Sequence, residues 1–222
     1  MAKKTVYLTI EGTDGSGKTT LVKNLLSHLV DKLKKKVLLT KEFGSEHDKA
    51  CSELRKVVLN SKYNIDDVAG QIIFAAIVRQ HQVNVIKPAL ASRSHDIILS
   101  DRGIDSNFAY GPAHGLTNKE ISTIFKPAYA GAALPDLTIY LDIDPLLASY
   151  RRTKRTAEAF AEGGIDRVEQ KGLKLQEKVR RNFLKIADDN SDRVVVISIT
   201  DNKTPEDILS EVLKVLKERK LV

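Results

Sequence analysis

Five short apolar stretches, rich in Val, Ile and Leu, alternate along the chain with longer amphipathic stretches. Apolar runs of this length, bounded by polar or turn residues, are typical of β-strands that are buried on both faces. When such strands alternate with helices, they form a parallel sheet that is covered by helices on both sides. The predicted strands are Thr5–Ile10, Val37–Thr40, Asp96–Ser100, Leu137–Leu141 and Arg193–Ile199.

The amphipathic stretches show the spacing of helices. From Lys18 to Leu33, leucines recur at every fourth position, which places them on one helix face. The last predicted helix has Thr204 as its N-cap and Pro205 in its first turn. We find no repeat, linker or low-complexity segment, so residues 1–222 are expected to form a single α/β domain. The predicted helices are Lys18–Leu33, Ile65–Ala91 with a break near Pro88, Asn118–Tyr129, Pro145–Lys154, Val168–Asp188 and Thr204–Arg219.

The turn after the first predicted strand carries a phosphate-binding sequence. Gly12–Thr19 reads GTDGSGKT, which matches the pattern G-x-x-x-x-G-K-[ST] between a strand and a helix. Glycines let such a loop wrap around phosphates, while backbone N–H groups and the helix N-terminus attract their negative charge. We expect Lys18, as an exposed loop side chain, to reach the outer phosphates of a nucleoside triphosphate, and the Thr19 hydroxyl to bind Mg²⁺. The alternative, a glycine-rich turn with a chance lysine, does not account for the flanking strand and helix.

A second candidate for the phosphate site lies at the end of the third predicted strand. Asp101 directly follows the apolar residues of that strand, so it lies at the same carboxyl edge of the sheet as the phosphate loop. An Asp at this position in phosphate-loop enzymes helps to hold Mg²⁺. Arg102 is next in the chain, and its guanidinium group can bind a phosphate with two hydrogen bonds. Either residue could instead be an ordinary charge in a turn, but the location favours function.

A basic cluster follows the fourth predicted strand. Arg151 and Arg155 are four positions apart and therefore share one face of the predicted helix. They precede Gly163–Gly164, which suggests a lid, at roughly residues 146–166, that closes on phosphates and excludes water. The alternative is a solvated helix face, and it applies equally to Arg152 and Lys154.

Composition narrows the class of protein. The net charge is +7, and 29% of the residues are charged, but the lysines are scattered over helical stretches and no Trp is present. This favours small polyanionic substrates over nucleic acid. The single cysteine, Cys51, excludes an intrachain disulfide. Because no apolar run reaches membrane-spanning length and the start has no signal-peptide core, we expect a cytoplasmic enzyme with no membrane partner.

Six segments resemble the thymidylate kinase family in sequence, order and spacing. The resemblance implies transfer of the γ-phosphoryl group of ATP to dTMP with Mg²⁺, which supplies dTTP for DNA synthesis. It also implies a phosphate-loop NTPase-type three-layer fold with a five-stranded parallel sheet and a short helical lid, and a homodimer. The segments are Ile10–Thr20, Thr40–Gly44, Phe74–Leu90, Ser100–Gly111, Pro135–Pro145 and Ile165–Gln170.

The resemblance also implies roles for individual residues. Lys18, Asp14, Arg102 and Arg155 are the expected catalytic residues, and the phosphate loop itself has no arginine. Phe74 resembles the aromatic residue that stacks on the base, although a core aromatic on a long helix is the alternative. The residues expected to bind ATP are Gly12, Thr13, Asp14, Gly15, Ser16, Gly17, Lys18, Thr19, Thr20 and Arg151. The metal is expected to bind Thr19 and, through water, Asp101. The residues expected to bind the acceptor nucleotide are Asp14 near its 3′-hydroxyl, Lys41, Phe43, Phe74, Arg102 at its phosphate, Asn107 at its base edge and Tyr110 at its sugar.

Three positions depart from the family pattern, all on the acceptor side. Val78 stands where the family has an arginine that contacts the base, and Arg79 is one residue late, a rotation of about 100° on a helix. Phe43 replaces the proline of R-E-P-G, and Gly103 replaces the tyrosine of D-R-Y. These departures leave open a deoxynucleoside monophosphate kinase with a different or broader base preference.

Other classes fit the sequence less well. A GTPase switch needs N-K-x-D for guanine recognition, but Asn202–Pro205 reads NKTP, with Pro in place of Asp. An ATP-driven binding module would share the phosphate loop without the acceptor segments. A non-catalytic nucleic-acid binder would use the positive charge but has no need of an intact phosphate loop.

Overall fold

The sheet has five parallel strands, as predicted. The computed structural model describes residues 4–43, 47–159 and 172–222, without the side chains of residues 154–159. The strand order is β2-β3-β1-β4-β5, so the first strand lies at the centre. The strands are β1 (Val6–Gly12), β2 (Val37–Lys41), β3 (Ile97–Asp101), β4 (Leu137–Ile143) and β5 (Val194–Ile199).

Nine helices pack on the two faces of this sheet within the described ranges. Two of them continue directly into π-helical turns, at His28–Lys32 after α1 and at Gln82–Ile86 after α3. No described helix is long and apolar enough to span a bilayer. The helices are α1 (Lys18–Ser27), α2 (Lys49–Leu59), α3 (Asp67–His81), α4 (Lys87–Ser92), α5 (Ile104–Ala113), α6 (Asn118–Phe125), α7 (Pro145–Ala159), α8 (Gly172–Asp189) and α9 (Pro205–Glu218).

The helix boundaries correct several predictions. Pro88 lies in the first turn of α4, directly after the π-helical turn Gln82–Ile86, and the helical run 67–92 continues through it. The helix predicted at Asn118–Tyr129 ends at Phe125, since Pro127 cannot donate a backbone hydrogen bond. Neither α2 nor α5 was predicted, although Asp48 caps α2 by accepting hydrogen bonds from two backbone N–H groups.

The alternation of side chains along β1 divides the core into two layers. Leu8 and Ile10 face one side, where they pack with α1 and α9. Tyr7, on the opposite face, packs with the residues around α4, and Tyr140 of β4 packs on that face with α5 and α8. The result is the three-layer α/β architecture that the sequence predicts.

A buried ion pair fixes α5 against the sheet. Asp105 accepts hydrogen bonds from both terminal nitrogens of Arg193, each at 2.8 Å, and one from the Thr138 hydroxyl at 3.0 Å. Two side chains thus anchor a helix that carries Asn107 and Tyr110 at the carboxyl edge of the sheet. This anchoring matters because α5 forms one wall of the cleft described below.

Candidate active site

The phosphate loop joins β1 directly to α1. Gly15 has φ of 90°, and a Cβ there would lie 2.5 Å from the Ala148 carbonyl oxygen, so only glycine fits. Gly17 is the N-cap of α1 and supplies no side chain, and the first turn of α1 contains no acidic residue. The N–H groups of this turn are therefore available to phosphate oxygens.

Lys18 is buried in the loop, which corrects the expectation of an exposed side chain. Its Nζ donates to the Thr13 carbonyl oxygen at 3.0 Å and lies 3.7 Å from Asp14 Oδ1. Burial, together with the nearby Arg102, lowers the pKa of the ammonium group to about 8, although Asp14 opposes the shift. A negatively charged phosphate would favour the charged form, so the loop holds a cation that a nucleotide stabilises.

Asp101 ends β3 beside the first residues of the loop. Its neighbours in the sheet are Ile10 of β1 and Lys41 of β2, and Lys41 Nζ lies 3.2 Å from Asp101 Oδ2. Oδ1 is buried and has no hydrogen-bond partner among the described residues. Thr19 is exposed at the start of α1. A free carboxylate oxygen and an exposed hydroxyl fit Mg²⁺ that keeps most of its water and binds nucleotide phosphates.

Arg102 connects the loop to α5. Its Nη2 donates to Asp14 Oδ1 at 2.8 Å and to the Tyr110 hydroxyl at 3.3 Å, and its Nη1 donates to the Gly12 carbonyl oxygen at 3.2 Å. The guanidinium carbon lies 5.2 Å from the centre of the Tyr110 ring. Burial opposes its charge, but the surrounding anionic and aromatic groups outweigh that effect and raise the pKa of Arg102. The fully buried Glu11 carboxyl lies nearby, with Oε2 3.9 Å from Arg102 Nη1.

A cleft of about 570 Å³, open to solvent, begins at Asp14 and Arg102. Phe43 and Phe74 form an aromatic wall in which the ring centres are 4.9 Å apart at an angle of 69°. The predicted acceptor residues lie together here, except Lys41, which pairs with Asp101. The lining residues are Asp14, Phe43, Arg55, Leu59, Gln71, Phe74, Arg102, Ser106, Asn107, Tyr110 and His114.

A second cleft lies on the other side of the phosphate loop. Arg151, which the sequence analysis predicts to bind ATP, lines this cleft, and its Nη2 donates to the Thr200 carbonyl oxygen at 3.2 Å. Lys203, which the sequence analysis did not single out as a ligand, also lines this cleft and follows β5. Asp14 lines the first cleft and Gly15, Ser16 and Gly17 line the second, so the described residues place the phosphate loop between the two clefts. The remaining lining residues of the second cleft are Thr20, Leu21, Pro205 and Ile208.

This geometry agrees with the comparison with known proteins. The model of the family described as thymidylate kinase matches residues 10–212. The chain belongs to the thymidylate kinase family. A thymidylate kinase of Lactobacillus helveticus is 34% identical over 96% of each chain, and one of a Geobacillus species is 39% identical over 86% of this chain and 87% of its own. The crystal structure of the Ehrlichia chaffeensis thymidylate kinase superposes with a TM-score of 0.71 at 27% identity, covering 96% of this chain and 99% of that one.

Membership in the thymidylate kinase family makes this chain a kinase, as predicted, and gives the departures from the family pattern a structural setting. Phe43 has φ of 68°, which proline cannot adopt, so the loop after β2 follows a different path from one with proline there. Arg55 Nη1, from α2, donates to the Phe43 carbonyl oxygen at 3.0 Å and holds this conformation. A Cβ at Gly103 would lie 2.7 Å from Thr9 Cγ2, so the tyrosine of other family members would require Thr9 to move.

Val78 is fully buried beneath the aromatic wall. Arg79 is exposed and donates to the Ala130 carbonyl oxygen at 2.9 Å, outside the cleft. The expected rotation thus separates Arg79 from the position of the family arginine. Among the described lining residues of the cleft, α3 contributes Gln71 and Phe74 but no arginine.

A chain of hydrogen bonds holds Asn107 at the cleft. Asn107 Nδ2 donates to the Tyr129 hydroxyl, and that hydroxyl donates to Glu42 Oε1, both at 2.5 Å. Asn107 lines the cleft, and Nδ2 is used in this chain, so Oδ1 is the atom of its amide that remains available as an acceptor. Neither Tyr129 nor Glu42 belonged to the predicted site, although Glu42 lies within the segment Thr40–Gly44 that resembles the family.

The catalytic role expected of Arg155 concerns a side chain outside the described residues. The backbone of α7 continues through position 155, so the lid region begins as a helix. Gly163–Gly164 and Ile165–Gln170 also lie outside the described ranges.

Glu42 should make stability depend on pH. Burial, reinforced by Glu11 and Asp105, raises the pKa of the Glu42 carboxyl from 4.5 to about 8, although the hydrogen bond from Tyr129 opposes the rise. The stabilisation that neutral Glu42 provides is therefore complete below about pH 4.5 and declines as the pH rises towards 8. Each unit of difference in pKa between the folded and unfolded states corresponds to about 1.4 kcal/mol.

We expect Glu42→Gln to weaken the decline in unfolding free energy between pH 5 and 8, as measured by urea denaturation. Glu53→Gln is the matched control, because Glu53 is an exposed carboxylate on α2. Identical pH profiles for the two variants would show that Glu42 titrates normally.

Proposed function

We propose that this protein transfers the γ-phosphoryl group of ATP to dTMP and forms dTDP. The observation that carries the proposal is the Asp14–Arg102 contact at 2.8 Å, which joins the phosphate loop to the aromatic cleft. Asp14 belongs to the loop and also lines the cleft, so a monophosphate in the cleft would approach a triphosphate on the loop. Phosphoryl transfer depends mainly on such positioning.

The direct test measures ADP and nucleoside diphosphate formation together, with ATP and a panel of dTMP, dUMP, dCMP, dGMP and dAMP. We expect dTDP to form in a one-to-one ratio with ADP. ADP formation without a phosphorylated acceptor would identify an ATPase and contradict the proposal. A preferred acceptor other than dTMP would retain the reaction but change the substrate.

On the donor side, the loop N–H groups and Lys18 hold the outer phosphates, and Arg151 contacts the nucleotide in the second cleft. Thr19 and, through water, Asp101 would hold Mg²⁺, which neutralises charge on the transferring group when bound. Lys41 keeps the Asp101 carboxylate oriented by pairing with Oδ2. Arg155 would come from the lid to stabilise the charge of the transition state, because the loop has no arginine of its own.

On the acceptor side, Arg102 binds the monophosphate and Asp14 contacts the sugar near its 3′-hydroxyl. Phe74 supplies a stacking face for the base, with Phe43 edge-on behind it. Arg102 already has four hydrogen-bonding partners in the described structure, so it is held in place before the acceptor arrives. Such preorganisation lowers the reorganisation needed during transfer.

Tyr110 should select deoxynucleotides. Its hydroxyl contacts Arg102, and its ring packs edge-on against Phe183 with centres 6.3 Å apart, which fixes its position beneath the expected sugar site. A 2′-hydroxyl would meet this ring, so we expect kcat/KM for dUMP to exceed that for UMP by roughly 10-fold or more.

Two variants separate the ring from its hydroxyl. Tyr110→Phe should retain the preference for dUMP because the ring remains, whereas Tyr110→Ala should reduce it. Equal use of dUMP and UMP by the native enzyme would contradict this role for Tyr110.

We also infer that the protein works in the cytoplasm as a homodimer. The family resemblance favours this assembly, and a row of partly exposed apolar side chains on and after α3 supports it: Val68, Ile72 and Val83, which are 45%, 54% and 41% exposed. Sedimentation equilibrium tests the inference directly.

A further inference from the structure

Gln71 is a buried polar side chain with no hydrogen-bond partner among the residues that the structure describes. It lies on α3, is only 5% exposed and lines the acceptor cleft. No group among the described residues hydrogen-bonds with its side-chain amide. The amide atoms of Gln71 are not sealed in the core, so they meet the cleft, where water or a ligand can satisfy their hydrogen-bonding capacity.

The position of Gln71 relates it to the base platform. It precedes Phe74 by three residues, so the two side chains lie on neighbouring turns of the same helix face. A base that stacks on Phe74 would therefore present part of its edge to the Gln71 amide. Val78, one turn further along the same face, is apolar and leaves that edge without the arginine found in other family members.

Asn107 lies on the opposite wall of the cleft and offers a fixed acceptor. Its Nδ2 is committed to Tyr129, and Tyr129 is committed to Glu42, so the amide cannot reverse without breaking this chain. The Gln71 amide has no such tie and is free to present its N–H group. The two walls together can therefore offer one acceptor and one donor to a base.

We propose that Gln71 is a specificity-determining residue that reads the base edge of the acceptor nucleotide. Its Nε2 donates to the 4-oxo group of thymine while Asn107 Oδ1 accepts from the N3–H group. Cytosine carries an amino group at position 4 and no hydrogen at N3, so it would leave the fixed Asn107 oxygen facing a lone pair. The pair thus selects thymine and uracil over cytosine, and this assignment rests on the proposed function.

The experiment compares two variants with a matched control. Gln71→Leu removes the amide at similar volume, and Gln71→Glu keeps the shape but removes the N–H donor. Gln82→Leu is the control, because Gln82 is an equally buried glutamine on the same helical run and does not line the cleft. Steady-state kinetics give kcat/KM for dTMP, dUMP and dCMP, and KM for ATP.

We expect Gln71→Leu to lower kcat/KM for dTMP and dUMP by roughly 10- to 100-fold, through KM for the acceptor, with KM for ATP unchanged. The kcat/KM for dCMP should change less, so the preference for dTMP over dCMP becomes smaller. Gln71→Glu should reduce this preference further, since a carboxylate can accept a hydrogen bond from the cytosine amino group. Gln82→Leu should leave all ratios unchanged.

Two results would overturn the proposal. One is unaltered selectivity in both Gln71 variants; the other is an equal loss with dTMP and dCMP, which would mean that Gln71 only supports packing. Should Gln71→Leu fail to fold, the near-isosteric Gln71→Glu decides alone. A native enzyme that does not phosphorylate dTMP would instead refute the proposed function, so the two failures are distinguishable.

Discussion

Replacing Lys18 with alanine should lower kcat for dTMP phosphorylation by at least about 100-fold, the effect of removing one preorganised charge from a transition state. The buried ammonium group lies within the phosphate loop, next to Asp14, where phosphate charge must be neutralised. The free enzyme should not lose stability. Because burial lowers the pKa of Lys18, the fold disfavours the charged form, and alanine removes that unfavourable contribution.

The measurement combines turnover with thermal unfolding. In the native protein, ATP should raise the unfolding temperature by mass action, and in Lys18→Ala this rise should largely disappear. Lys23→Ala is the control, since Lys23 is an exposed lysine on the same helix. Native turnover in Lys18→Ala would refute the assignment of Gly12–Thr19 as the catalytic phosphate loop.

The features whose positions in the fold the sequence predicted correctly are local ones. The phosphate loop is a continuous pattern whose chemistry depends on backbone conformation and on the strand and helix beside it. Asp101 and Arg102 could be placed at the carboxyl edge because a short apolar strand ends just before them. The sheet followed from strand composition alone, since buried parallel strands have few alternatives.

The features that were missed depend on contacts between distant residues. Tyr129 bonds to Glu42 across 87 positions, and no spacing rule connects a residue after α6 with one after β2. The burial of Lys18 arises from the packing of the loop and the neighbouring strand ends. Gln71 looks like any polar residue in an amphipathic helix until α2 and α5 close the other sides of the cleft.

The helix α5 shows why this wall was not predicted. Its sequence contains Gly111 and Pro112, which usually argue against a helix, and its N-cap Gly103 provides no capping side chain. Tertiary contacts compensate, because Asp105 is held by Arg193 and the backbone N–H groups of Gly103 and Ser106 donate to Glu11. Local propensity was outweighed by buried polar interactions that the sequence does not display.

Arg102 contacts both Asp14 and Glu11, so its loss should affect both activity and stability. Arg102→Ala should reduce kcat/KM for dTMP by at least about 100-fold, because the acceptor phosphate loses its guanidinium partner. It should also lower the free energy of unfolding by about 3 kcal/mol, since Asp14 would lose the guanidinium group that lies 2.8 Å away. Buried Glu11, whose pKa burial raises to about 7 even with Arg102 present, would lose the cation that opposes this rise.

Arg102→Lys separates these two effects. A lysine keeps the positive charge near Glu11 and Asp14, so stability should recover in part, but a single ammonium group cannot reproduce the planar set of hydrogen bonds to Asp14, Gly12 and a phosphate. We therefore expect kcat/KM for dTMP to stay low while the urea midpoint rises towards the native value. Arg79→Ala, at an exposed arginine outside the cleft, should match the native enzyme in activity. Native kcat/KM in Arg102→Lys would mean that Arg102 serves the fold through its charge and does not bind the acceptor phosphate.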